Sequence, residues 1–152
     1  MSAGSSGKPI KDASTVILLR SGGAGIETFM VCRHQKSGFM GGAHVFPGGK
    51  LDDDDLSDAW ASHIEGDERG IAERLGEPDP VRSRGLLVAG VRETFEESGV
   101  LLASATEDVD LGDARMRLHA GAPFLSLAEE LSMRIDARSL TPYARWVTPE
   151  FE

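Results

Sequence analysis

The feature that most constrains this chain is a helix whose two ends are written into the sequence. Asp79 followed by Pro80 supplies an N-cap and a residue suited to the first helical position. Gly99 supplies a left-handed stop. Between them Val81, Val88, Val91 and Phe95 recur at helical spacing, with Leu87 beside Val88, and make one apolar face. The spacing predicts a helix over residues 80–98. The same helix carries Arg92, Glu93, Glu96 and Glu97 in its last two turns. At 100° per residue Glu93 stands over Glu97 and close to Glu96. Like charges so placed destabilise a helix by roughly 0.2–0.5 kcal/mol a pair. They also sit at the end where the helix dipole prefers cations. A divalent cation reverses the sign of that penalty, and hard cations such as Mg²⁺ and Mn²⁺ take oxygen ligands. Taken by itself, the helix is equally consistent with a solvated acidic face.

The flanking sequence supplies strands and turns. Residues 15–20 and 28–33 are β-rich runs joined by a glycine-rich turn, which predicts a hairpin. Cys32 lies in the second run and reads as a small buried hydrophobe. Residues 43–46 form a short strand that Pro47-Gly48-Gly49 ends. Asp52 to Asp55 is an unbroken acidic run, followed by a polar stretch, 56–85, with helical pieces at 59–64 and 68–75. A strand is expected at 100–103. Residues 123–135 make an amphipathic helix, and Trp146 reads as core. Residues 1–13 read as a flexible leader, so one domain is expected over 14–152.

Composition removes several classes. A length of 152 residues suits a single domain. With 25 acidic against 16 basic residues and a net charge of -9, no basic face is available for a nucleic-acid backbone or an anionic membrane. The single cysteine excludes an internal disulfide and suits a reducing compartment; the cytoplasm is the expected location, with a peroxisome or another organelle as the alternative. No apolar run approaches the roughly 20 residues of a membrane span.

Phe46-Pro47-Gly48-Gly49, the acidic run, and Arg92-Glu93-Thr94-Phe95-Glu96-Glu97-Ser98-Gly99-Val100 together resemble the Nudix hydrolase box. That box is a Gly, five residues, a Glu, seven residues, then R-E-U-x-E-E-x-G-U with U aliphatic. Gly49 matches the opening glycine; Arg92, Glu93, Glu96, Glu97, Gly99 and Val100 match the second half. Three positions depart from the pattern. Thr94 takes an aliphatic place, Asp55 stands where the box has its first Glu, and residues 56–91 replace the seven-residue spacer. The insertion lengthens the approach to the helix and leaves its carboxylate-bearing end intact. The extended box, with the preceding loop from Ser37 to Gly49, is similar to the Nudix motif 19-type branch of coenzyme A and acyl-CoA diphosphatases.

The resemblance implies an α/β (α+β) fold with a mixed sheet sandwiched between helices. It implies Mg²⁺ or Mn²⁺ as cofactor, with Glu96 and Glu97 as ligands and the Gly48 carbonyl as a further oxygen. Glu93 is either a third ligand or the general base. Arg92 braces the acidic loop, its charge balancing Asp55 or Glu96. On the substrate side stand Gly49, Arg33, Phe39 and His44: Arg33 as a phosphate contact or a structural ion pair, His44 as a pocket or structural histidine, Phe39 as a stacking surface for adenine. The implied partner is a small nucleotide substrate, not nucleic acid or membrane. The implied reaction cleaves the pyrophosphate of coenzyme A or an acyl-CoA to 3',5'-ADP and (acyl-)phosphopantetheine. Hydrolysis of ADP-ribose or another nucleotide derivative, and a non-catalytic nucleotide sensor, are the alternatives. In that fold a further strand and helix follow the segment Tyr143 to Pro149, so the chain is expected to be the N-terminal part of a longer one, or to complete its sheet as a homodimer.

Overall fold

The computed structural model describes residues 11–35 and 41–146. Eight short strands and four helices alternate along them. The strands are β1 (Ala13–Thr15), β2 (Leu19–Gly22), β3 (Gly25–Thr28), β4 (Val31–Cys32), β5 (His44–Val45), β6 (Gly48–Lys50), β7 (Ile64–Glu65) and β8 (Ile135–Asp136). The helices are α1 (Glu68–Leu75), α2 (Pro80–Ser98), α3 (Leu111–His119) and α4 (Phe124–Glu130). Single 3-10 turns occupy Asp53–Leu56, Asp58–His63 and Ala137–Ser139. The strands associate in pairs: β1 with β6, β2 with β3 and β4 with β5 run antiparallel, β7 with β8 parallel.

Helix α2 organises the rest and has the bounds its caps dictate. The Asp79 carboxylate accepts from the amides of Val81 and Arg82, and Gly99 closes the helix at φ +78° with its amide on the Phe95 carbonyl. Leu87, Val88, Val91 and Phe95 are buried. They pack with Trp60, Phe124, Leu127, Met133 and Ile135 in one core. Trp60 and Phe124 lie 5.3 Å apart between ring centroids. Burying side chains of this size stabilises the fold by about 1.5–3 kcal/mol each. On its other side α2 meets β1 and the Asp53–Leu56 turn at small residues. A Cβ on Gly90 would stand 2.9 Å from Ser14 Oγ, and one on Gly85 would stand 2.8 Å from Leu56 Cδ2.

The 56–85 stretch is built into this core. Trp60 is fully buried, its indole Nε1 donates to the Asp54 carbonyl (2.9 Å), and buried His63 shares a hydrogen bond with the Met133 carbonyl (2.9 Å). The Asp54 carboxylate accepts from the Leu125 amide in the first turn of α4 (3.2 Å). The piece expected as helical at 59–64 is the 3-10 turn Asp58–His63, and Glu68–Leu75 is α1.

Several expectations change. The run at 15–20 serves two partners and so breaks in two: the Val16 amide donates to the Pro47 carbonyl, while the Leu18 carbonyl accepts from Phe29. Two residues expected in the leader are part of the fold: Ala13 is in β1 and Asp12 pairs with Arg82, while residues 1–10 lie outside the described residues. Cys32 is exposed: on the two-residue β4 it is Val31 that is partly covered. Residues 100–103 form no ladder; the Val100 amide is taken by Ser98 Oγ (3.0 Å), and only Ser104 bridges Arg134. The helix expected at 123–135 stops at Glu130, where Ser132 turns left-handed (φ 50°) and releases Ile135 into β8. Trp146 is 83% exposed. The residue that faces the body there is Arg145, bonded to the Gly76 carbonyl and paired with buried Glu77, each at 3.1 Å.

Candidate active site

Three carboxylates emerge at the C-terminal end of α2, and a buried ion pair fixes the loop beneath them. Arg92, 6% exposed, donates from Nε to Asp55 Oδ1 (2.9 Å) and from Nη2 to Asp55 Oδ2 (2.8 Å). Asp55 is fully buried, and its Oδ2 also accepts the Asp52 amide (2.9 Å). Two more donors of the guanidinium reach the Lys50 carbonyl (2.9 Å) and Glu93 Oε1 (2.9 Å). One planar cation therefore ties together β6, the acidic turn and the helix. Burial works against its charge, but the hydrogen bonds and charge of Asp55, with Glu93 and Asp52, outweigh that and hold Arg92 above its ordinary value.

The helix end meets the glycine turn. The Gly48 amide donates to Glu97 Oε2 (3.0 Å). A Cβ on Gly49 would fall on the Glu93 carboxylate, and one on Gly48 would fall on the Ser14 carbonyl and Thr15 Cα. Only glycine lets β6 lie this close to both α2 and β1. Glu93 is raised above its ordinary 4.5 by burial first, with Glu96 and Glu97 adding to it and Arg92 opposing. Glu96 is partly exposed, 3.8 Å from Arg92 Nη1 and 3.6 Å from His119 Nδ1.

Each carboxylate thus has a protein partner: Glu93 has Arg92, Glu97 has the Gly48 amide, and Glu96 lies nearest His119. Among the described residues no three His, Cys, Asp or Glu side chains converge into a group able to hold a metal ion. The donor set still suits a hard cation: three carboxylates on adjoining turns of one helix face, with no basic residue in the last turn of that helix to neutralise them.

No protein-family model matches the sequence. The chain is similar to the acyl-coenzyme A diphosphatase NUDT19 of Gallus gallus, 28% identical over 162 residues, covering 81% of this chain and 43% of that protein. It is similar to the acyl-coenzyme A diphosphatase NUDT19 of Xenopus laevis, 36% identical over 95 residues, covering 50% and 25% respectively. The chain therefore spans less than half the length of these curated relatives. Among solved structures it superposes on a NUDIX hydrolase from Alicyclobacillus acidocaldarius with a TM-score of 0.65 and 26% identity, covering 84% of this chain and 57% of that one.

These likenesses support a Nudix hydrolase assignment for the chain. Its Nudix helix is α2, and its fold is the α+β Nudix fold. Not every expected residue joins the carboxylates. Arg33 and His44 are exposed on the β4–β5 side, where the Arg33 amide bonds Ala43 and His44 pairs with Cys32. Among the described residues no hydrogen bond or ion pair links either side chain to Glu93, Glu96 or Glu97. Phe39 lies outside the described residues. Phe46 is partly buried, next to fully buried Pro47.

Two residues beside the Nudix helix carry no signal in the box. Arg115 and His119 stand one turn apart on α3, and both reach the carboxylate end of α2. Asp110 as an N-cap and the i,i+4 spacing of Arg115 and His119 are visible in the sequence. That this helix docks on α2 is not, because it rests on Ala114 and Leu118 entering the core.

Proposed function

We propose that this chain hydrolyses the pyrophosphate of a nucleoside diphosphate-linked substrate with the help of Mg²⁺ or Mn²⁺. The substrate proposed is coenzyme A or an acyl-CoA, giving 3',5'-ADP and (acyl-)phosphopantetheine. The observation that carries this reading is the presentation of Glu93, Glu96 and Glu97 on one helix end, against a glycine turn held in place by the buried Arg92–Asp55 pair. The choice of coenzyme A rests on the names of the two NUDT19 relatives.

Glu96 and Glu97 are the proposed ligands, with the Gly48 carbonyl as a further oxygen. A bound cation would neutralise phosphate charge, orient the group and lower the pKa of a bound water. Glu93 is either the third ligand or the base that takes the proton of the attacking water, and burial raises its basicity for the second role. Arg92 spends four of its five N–H donors on Asp55, Lys50 and Glu93 and acts by fixing Glu93 relative to β6. Among the described residues no helix is long and apolar enough to cross a membrane. Arg33, Phe39, His44 and Gly49 remain the proposed substrate-side residues, and the cytoplasm the proposed location.

The test is product release from a panel of coenzyme A, an acyl-CoA, ADP-ribose and a nucleoside triphosphate, with Mg²⁺ or Mn²⁺ and with EDTA. The expected result is metal-dependent formation of 3',5'-ADP from the coenzyme A substrates and its loss in Glu97→Gln. Preferred turnover of ADP-ribose would move the substrate assignment. No turnover of any member would leave a nucleotide-binding protein.

A further inference from the structure

Arg115 lies outside the Nudix box, yet it makes the two hydrogen bonds that finish the Nudix helix. Its Nε donates to the Glu96 carbonyl (2.8 Å) and its Nη2 to the Glu97 carbonyl (2.9 Å). The last four carbonyls of any helix have no partner within it. In α2 the Phe95 carbonyl is satisfied by the Gly99 amide (2.8 Å). The next two belong to the residues whose side chains are the proposed metal ligands, and both are taken by one guanidinium. We propose that Arg115 is a positioning residue for the metal site: it fixes the backbone from which Glu96 and Glu97 project, and so sets the geometry of the carboxylates. The inference rests on the metal-site reading above.

Further observations support it. Arg115 comes from a seated element, since Ala114 and Leu118 on either side of it in α3 are buried in the core. Its planar fork is pre-organised to reach two acceptors at once, which a lysine cannot do. It packs against the box glycine: Gly99 turns the chain at φ +78°, and its Cβ position lies 3.5 Å from Arg115 Nη1, in ordinary van der Waals contact. A cation at this end also offsets the helix dipole, which otherwise adds to the repulsion among the carboxylates. Helix ends fray, and a ligand pair on a fraying turn has no fixed separation. The two bonds from α3 remove that freedom.

The experiment measures Mn²⁺ affinity from the free-ion signal in electron paramagnetic resonance, with no substrate present. Far-UV circular dichroism and thermal unfolding in EDTA are recorded beside it. Arg115→Ala is expected to weaken Mn²⁺ binding about ten-fold or more, the scale on which groups that orient metal ligands act, with helix content preserved. Arg115→Lys is expected to weaken it by about three-fold, because it keeps the charge and loses the fork. Arg117→Ala, which removes only the exposed pairs to Glu130 and Asp113, is expected to stay within two-fold of wild type. Mn²⁺ binding by folded Arg115→Ala within two-fold of wild type overturns the proposal while leaving the site itself intact. Should Arg115→Ala not fold, Arg115→Lys decides by the same two-fold limit. If wild type binds Mn²⁺ no better than the Glu96→Gln/Glu97→Gln double variant, the metal site fails and the role of Arg115 falls with it.

Discussion

Replacing Asp55 tests whether the buried ion pair holds the two halves of the site together. Asp55 accepts three hydrogen bonds, two from Arg92 (2.9 and 2.8 Å) and one from the Asp52 amide (2.9 Å), with no exposure to water. Asp55→Ala removes all three and leaves the Arg92 guanidinium buried. Removing one partner of a buried pair costs about 3–5 kcal/mol. Arg92 keeps the Lys50 carbonyl and Glu93, so the lower end applies, about 3 kcal/mol. In a domain of this size about 1 kcal/mol corresponds to roughly 2–4 °C in Tm, so the expected fall is roughly 6–12 °C. The assay is urea and thermal unfolding near pH 7 with and without Mg²⁺, with Arg92→Ala and the double variant completing a cycle. The single costs should exceed additivity by roughly 1–3 kcal/mol, the range for residues in direct contact. Asp55→Glu is the sharper test, because the Nudix pattern has Glu in that place. Here the extra methylene enters a fully buried site and should cost about 1–3 kcal/mol through overpacking. An Asp55→Ala protein within about 0.5 kcal/mol of wild type, or a cycle that is simply additive, would refute the reasoning.

Gly49→Ala places a methyl group where the Glu93 carboxylate lies; it should weaken Mn²⁺ binding and turnover by about ten-fold or more, with near-UV circular dichroism still native, and unchanged affinity would count against the close approach. Trp60→Ala empties a fully buried site in the core and should cost about 3–5 kcal/mol by urea unfolding, which would show that the insertion is part of the folding unit. Glu93→Gln should alter the pH dependence of stability in EDTA. Burial raises Glu93 above 4.5 in the folded protein, so its contribution is fully present below that value and is lost as pH rises through the folded pKa. The stability of wild type relative to Glu93→Gln should therefore fall as pH climbs from below 4.5; a flat or rising difference contradicts the shift.

How far the sequence reads into the structure depends on whether a signal is local. Helix α2 was legible to the residue, because Asp79, Pro80 and Gly99 each act on the backbone within a turn of themselves. The carboxylate face followed from helical geometry alone. The strands were less legible. Each of the eight has at most four residues, and the apolar run at 15–20 divides its hydrogen bonds between Phe29, across the expected hairpin, and Pro47, which is far from it in sequence. Burial was misjudged where polarity and placement part company. Trp146 points out while Arg145 reaches the buried Glu77 carboxylate, which Arg82 also faces. Arg115 was hidden for the same reason: the acceptors it satisfies are backbone carbonyls, which every sequence has.

The long spacer within the box then has a physical explanation. Lengthening a closed loop about five-fold costs only roughly 1.4 kcal/mol in chain entropy. The Arg92–Asp55 pair joins the two ends of that loop across the whole insertion, and its loss should cost about twice as much. The insertion adds contacts of its own. Trp60 bonds the Asp54 carbonyl from the inserted side, and the carboxylate of the same Asp54 bonds the first turn of α4. Gly85 lets α2 approach Leu56 and the Asp55 carbonyl at the point where the insertion rejoins the helix. Both ends of the insertion are therefore fastened within the acidic turn. The glycine turn and the carboxylate end of α2 meet through β6, Arg92 and Glu97, none of which depends on how many residues lie between Asp55 and the helix. An insertion placed after Arg92 would have no such protection, since it would shift Glu96 and Glu97 around the helix by 100° per added residue.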